Sequence, residues 1–196
     1  MTLQGFLQLV LLTLRSPREA AQLVMALLPT TEARLLALGA VMASSAALGA
    51  GAEMLFAFVT KLDLGKTDSP VPLALVQGGL ILYAAGAMTL FGRQFGGKGQ
   101  FGAALSLVLW IEAMLIAGQL LQIVVMVFFP LISVLGTLVL FGLMFWLLIQ
   151  FTAALHGFDN LMTVGAGVVA VFFGSAMMLG VVMLSLGITP PFVTAR

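Results

Sequence analysis

The chain has 196 residues, of which 62% are hydrophobic and 8% are Asp, Glu, Lys or Arg, with a mean hydropathy of +1.21 and a formal net charge of +1. Soluble domains carry about 25% charged residues, so this chain lacks the polar surface that a soluble fold needs. The near-zero net charge gives no basis for nucleic-acid binding, and the lack of cysteine rules out disulfides and thiolate chemistry.

The N-terminal run MTLQGFLQLVLLTLRSP has no basic residue before its apolar stretch and no A-x-A-like cleavage site, so it reads as retained. Residues 3–14 are expected to lie in the membrane interface or to dock on the rest of the protein. SPREAAQLVMALLP, 16–29, is too short to span. Ser16 as N-cap, Pro17 at the first helical position and Glu19 three residues after the cap mark a helix start. At about 100° per residue, Arg18, Glu19 and Gln22 share one arc, with Ala20, Leu23, Val24 and Leu27 opposite. This predicts an amphipathic helix on the membrane surface, with packing against the protein's own loops as the alternative. Residues 1–30 are therefore an interfacial segment, and 31–196 a five-helix transmembrane domain.

Crossing about 30 Å of hydrocarbon takes about 20 apolar residues. Five segments qualify: Leu35 to Val59, Leu73 to Phe91, Ala103 to Phe128, Leu131 to Leu155, and Leu161 to Leu186. All must be helices, because lipid offers backbone groups no other partner. The fold class is all-α: a polytopic membrane protein with an interfacial helix at its N-terminus. Lys and Arg placement sets the orientation. With the N-terminus inside, Arg15, Arg18, Arg34, Arg93 and Lys98 are cytoplasmic, and Lys61, Lys66 and Arg196 lie outside.

The first span carries Gly39, Ala43, Ala47 and Gly51 at four-residue intervals. Such a stripe lets helix backbones approach closely, within the monomer or between copies, and the monomer is the preferred reading. FGGKGQF, 95–101, lacks the spacing of a phosphate loop and reads as a tight flexible turn with Lys98 near anionic headgroups. GAGVVA, 165–170, sits within a span, where a dinucleotide fingerprint has no meaning. In HGFDN, His156 ends a helix, Gly157 supplies a left-handed cap, and Asp159 or Asn160 caps the next helix.

The third span is unusual in its polar content. Within WIEAMLIAGQLLQ, 110–122, Glu112 and Gln119 share a helix face and Gln122 lies nearby. A charged side chain at the bilayer centre costs about 2.5 kcal/mol or more, so this seam belongs against protein. Counting depth from the span starts puts Glu112 level with Tyr83, Ser44, Ser45 and Ser175, and puts Gln119 and Gln122 level with Glu53, Gln77 and Thr137. Without a cation at that depth the carboxyl is expected to be neutral and to act as a hydrogen-bonding tie, because desolvation disfavours its charged form.

The SPREA helix, the LLP break, five closely spaced spans, the FGGKGQF turn before span three and Pro130 before span four occur in the order seen in one family. In these features the chain resembles bacterial Yip1-domain proteins over nearly its whole length. The resemblance implies a bacterial inner-membrane protein that works by contact. The long acidic N-terminal region and Tyr-Gly-Pro motif of eukaryotic relatives are missing here, so their Rab binding does not carry over. The expected function is a non-enzymatic scaffold that organises or shapes the bilayer. Its expected partners are lipid and a second copy or another membrane protein, with no nucleic acid, metal, cofactor or catalytic residue. The alternative is a small transporter or channel subunit using Glu112, with Glu53 and the glutamines, on a proton or cation path.

Overall fold

A computed structural model describes residues 2–60 and 70–185. The expected placements of Lys61, Lys66, Leu186 and Arg196 lie outside the described residues. Two short helices, α1 (Leu3–Arg15) and α2 (Pro17–Leu27), precede five long ones: α3 (Thr31–Thr60), α4 (Pro70–Gln94), α5 (Phe101–Phe128), α6 (Pro130–His156) and α7 (Leu161–Ser185). The long helices are all apolar and long enough to cross a bilayer. The protein is an all-helical, multi-pass membrane protein.

The helix ends follow local chemistry. Asn160 Oδ1 accepts from the N–H groups of Met162 and Thr163, so it caps α7. Gly157, at φ 73°, closes α6 in the left-handed conformation. Gly96, at φ 85°, closes α4, with Gly97 N–H donating to Gly92 C=O and Gly96 N–H to Arg93 C=O, the paired bonds of a Schellman motif. Ser16 stands at the start of α2 with Pro17 after it, but its side chain makes no capping bond. Its N–H donates instead to Leu12 C=O at 2.7 Å, so Ser16 closes α1 and the expected capping box does not form.

α5 is the hub, packing against α2, α3, α4 and α6, while α7 packs chiefly against α6. Phe172 makes edge contacts with Phe141 and Phe145 in the α6–α7 seam. The core is one-sided. Its buried apolar residues include Leu38 and Val41 of α3, Ile81, Ala85 and Met88 of α4, Ala104, Leu107, Ile111 and Met114 of α5, and Leu147 and Phe151 of α6. All lie toward the end of the bundle that carries α1 and α2, called here the basal end. Arg15, Arg18, Arg34, Arg93 and Lys98 are gathered at this end too. In the distal halves the helices leave most of their side chains exposed.

The small-residue stripe has a different place from the one expected. Gly39, Ala43, Ala47 and Gly51 are exposed, and a Cβ added at Gly39 or Gly51 would meet nothing within 4 Å. Among the described residues the stripe is therefore not a helix contact within the monomer. α3 turns Leu38, Val41, Met42 and Ser45 toward its neighbours instead. The small residue at the α3–α4 contact is Gly78, where a Cβ would come within 2.6 Å of the Met42 sulfur.

Candidate functional site

α1 and α2 each divide into three sectors. On α1, Phe6, Leu9, Val10 and Thr13 face the bundle, and Leu3, Leu7, Leu11 and Leu14 form an exposed apolar strip beside them. Gln4, Gln8 and Arg15 fall on a third, polar arc. The bundle contact is specific: Trp110 Nε1 donates to Thr13 Oγ1 at 2.9 Å, and Phe6 meets the Trp110 ring edge-on at 5.5 Å. On α2, Ala20, Ala21 and Val24 are buried against the bundle, while Leu23 and Leu27 are each 51% exposed. Arg18, Glu19 and Gln22 form its polar arc. The face read from the sequence as one thus splits into two, because a docked helix needs a protein-facing sector as well as a lipid-facing one.

Bonds at both ends fix α2 across the base. Arg18 donates to Phe158 C=O at 3.3 Å, beyond the end of α6. At the other end, Leu28 C=O lies 3.5 Å from Ser106 Oγ of α5, whose proton has a closer acceptor in Gly102 C=O at 3.1 Å. Arg34 donates to Ser106 Oγ at 3.1 Å and to Pro29 C=O at 3.2 Å, joining the α2–α3 corner to α5. α2 therefore runs sideways from the α6 end to α5.

Beside it, the glycine-rich turn closes on His156. Gly99 N–H donates to Nδ1 at 3.1 Å, and Nε2 lies 2.9 Å from Met88 C=O. A carbonyl can only accept, so Nε2 carries the proton and the imidazole is neutral, with both nitrogens satisfied. The ring stacks on Phe158 at 5.4 Å. A Cβ at Gly92, Gly97 or Gly99 would collide with the imidazole. The turn read from the sequence as flexible is instead moulded to a buried ring. The sequence signal was the recurrence of Gly92, Gly97 and Gly99, whose ring partner lies more than fifty residues away.

Deeper in the bundle, Gln77 of α4 donates to Ser45 Oγ of α3 at 2.8 Å and reaches Glu112 Oε2 of α5 at 3.4 Å. A cleft of about 250 Å³ between α3 and α4 is floored by Ser45 and Gln77 and walled by Gly49, Leu73 and Leu80. Glu112 thus has a polar partner from another helix, but a different one from those named on depth. Tyr83 and Ser175 bond to each other, joining α4 to α7. Gln77 lies level with Glu112, not with Gln122. Counted from their basal ends, Glu112 and Gln77 sit about 16 Å and 25 Å along their helices, a difference that staggered helix ends, tilt and two long side chains absorb.

The polar seam of α5 is also interrupted. Gln122 turns to α6, donating to Ser133 C=O at 3.0 Å and Thr137 Oγ1 at 2.7 Å. Gln119 and Glu53 are exposed. Packed membrane helices cross at about 20°, so a face buried at one depth opens two turns farther on. Among the described residues no cluster of His, Asp and Glu forms a metal-sized site. A lone carboxyl held by an amide can tie helices together or bind one proton or cation.

The family model for the Yip1 domain matches residues 11–185. No curated protein sequence matches the chain. No solved structure matches it either.

Proposed function

The chain belongs to the Yip1 domain family, and from that premise we propose that it is a non-enzymatic scaffold that shapes the bilayer by widening one leaflet. The supporting observation is the exposed strip of Leu3, Leu7, Leu11, Leu14, Leu23 and Leu27 on two helices docked at one end of the bundle. Lying in the membrane plane, α1 and α2 add roughly 350 Å² to the basal cross-section, from a helix width of about 10 Å and a rise of 1.5 Å per residue. Their apolar sectors sit at the headgroup–acyl boundary, as interfacial helices do. The distal leaflet receives no matching addition from the described residues, so the membrane section is a wedge.

The cations gathered at the basal end support a cytoplasmic N-terminus by the positive-inside rule, and a bacterial inner membrane is the setting inferred with it. The exposed Gly39–Gly51 stripe of α3 is the face offered to a second copy or another membrane protein.

Reconstitution of the full chain into liposomes tests the wedge, with vesicle shape read by electron cryomicroscopy. Wild type is expected to narrow or tubulate the vesicles. A variant with Leu7, Leu11, Leu23 and Leu27 changed to Ser is expected to insert and melt as wild type does but leave vesicles round. Equal deformation by both proteins, or by neither, would overturn the proposal.

One observation favours a second reading. The Ser45–Gln77–Glu112 chain meets a cleft, the arrangement that a proton or cation path needs. Glu112→Gln decides between them: loss of a proton- or cation-dependent flux from a folded protein in liposomes would favour transport over the scaffold.

A further inference from the structure

Arg93 does more than close a turn. Its Nε donates to Gly99 C=O at 2.9 Å, which fixes the guanidinium plane and leaves the two Nη groups to point elsewhere. Arg93 lines an open cleft of about 520 Å³ between the end of α4 and the start of α5. Gly86 and Leu90 of α4 form its deeper wall, and Gln100, Phe101 and Gly102 form the opposite side. The Arg34 guanidinium lies against Gly102, where an added Cβ would stand 2.6 Å from Nη1. Among the described residues that line the cleft, Arg93 carries a charge and none is a carboxylate.

The cleft also has depth. Gly86 lies two turns of α4 from Arg93 toward the bilayer centre, roughly 10 Å at 1.5 Å per residue. Its position is unfilled: a Cβ there would meet nothing within 4 Å. A cationic rim at headgroup level above an apolar channel running into the membrane matches one ligand chemistry. We propose that this cleft binds an anionic phospholipid, its phosphate against Arg93 and one acyl chain along Gly86 and Leu90. Basic pockets between membrane helices at the cytoplasmic side recognise headgroups in this way. The site shares no residue with the leucine strip, so it stands or falls apart from the bilayer-shaping proposal.

The test uses the full-length protein purified in mild detergent, with bound lipid counted by native mass spectrometry. Wild type is expected to retain phosphatidylglycerol over phosphatidylcholine. Arg93→Gln should cut that retention about fivefold, the effect of one basic group at an anionic surface. Gly86→Leu should cut it as well by filling the chain channel, and no clash is built in to unfold the helix. Lys98→Gln, exposed in the turn and outside the cleft, should change nothing. Inorganic phosphate in excess should fail to displace the lipid.

Retention unchanged in Gly86→Leu, or in a folded Arg93→Gln, would overturn the proposal. So would an equal loss in Lys98→Gln, which would mean general surface attraction. Displacement by phosphate alone would mean a simple anion site and would equally overturn it. If Arg93→Gln does not fold, Gly86→Leu carries the decision.

Discussion

Gln77 holds the middle of the only chain of side chains that links α3, α4 and α5 through polar groups among the described residues. Interhelical hydrogen bonds in membranes are worth about 0.6 kcal/mol on average and up to about 1.7 kcal/mol. Gln77→Leu therefore should lower stability by about 1–2 kcal/mol, read from the melting of detergent-solubilised protein, because it strips a partner from both Ser45 and Glu112. Glu112→Gln preserves a hydrogen-bonding group of the same shape and should cost at most about 1 kcal/mol. Glu112→Ala should cost more than Glu112→Gln. If Ala proved as well tolerated as Gln, the tie would have no structural weight.

His156 sets a harder constraint. At Gly97 a Cβ would meet not only the ring but also Gly92 C=O at 2.7 Å, an atom of helical backbone that cannot swing aside. Gly97→Ala should thus destabilise by about 1–3 kcal/mol, the scale of overpacking. Gly79→Ala, where a Cβ meets nothing within 4 Å, should not. Equal melting of the two variants would refute the clamp.

At the scale of elements, α1 and α2 belong to the folded bundle and also to the membrane surface. Trp110→Phe keeps a ring for Phe6 but loses the indole N–H that Thr13 accepts. It should loosen α1 from α5, seen as faster proteolysis of residues 3–15 while the five long helices stay intact. Unchanged proteolysis would mean that α1 is held by apolar contacts alone. For α2, cysteines placed at Gln22 and Ala21 should differ in reactivity toward a water-soluble reagent. Gln22 faces away from the bundle, whereas Ala21 is fully buried against it. The periodicity of 16–29 made the helix itself legible, but not which apolar residues face protein and which face lipid. Both environments select the same side chains, and hydropathy cannot distinguish them.

At the scale of the whole molecule, the basal half is densely packed and the distal half is open. Density follows from α1 and α2 wrapping the basal half of α5, which is where Ala104 to Ile111 form an unbroken buried run. Topology can be checked independently of packing. A reporter fused after Lys98 should stay in the cytoplasm, while fusions after Lys66 and at Arg196 should be exported. The reverse pattern would invert the molecule and move the leucine strip to the other leaflet.

Five spans, their helical state and most of their bounds were determined by the sequence, because a bilayer leaves a long apolar run no other way to satisfy its backbone. The order of those spans and the motifs between them was also enough to indicate the Yip1 resemblance. Only the tertiary structure decided what the polar groups touch. Depth along a single helix is readable at 1.5 Å per residue, but the tilt, stagger and rotation of its neighbours are not. So Glu112 meets Gln77 in place of Tyr83, the small-residue stripe faces outward, and a histidine read as a helix end is enclosed by three glycines. Each depends on the relative placement of helices, which is set by the summed packing of the whole bundle; Gly92, Gly97 and Gly99 signal a close approach but not which side chain makes it.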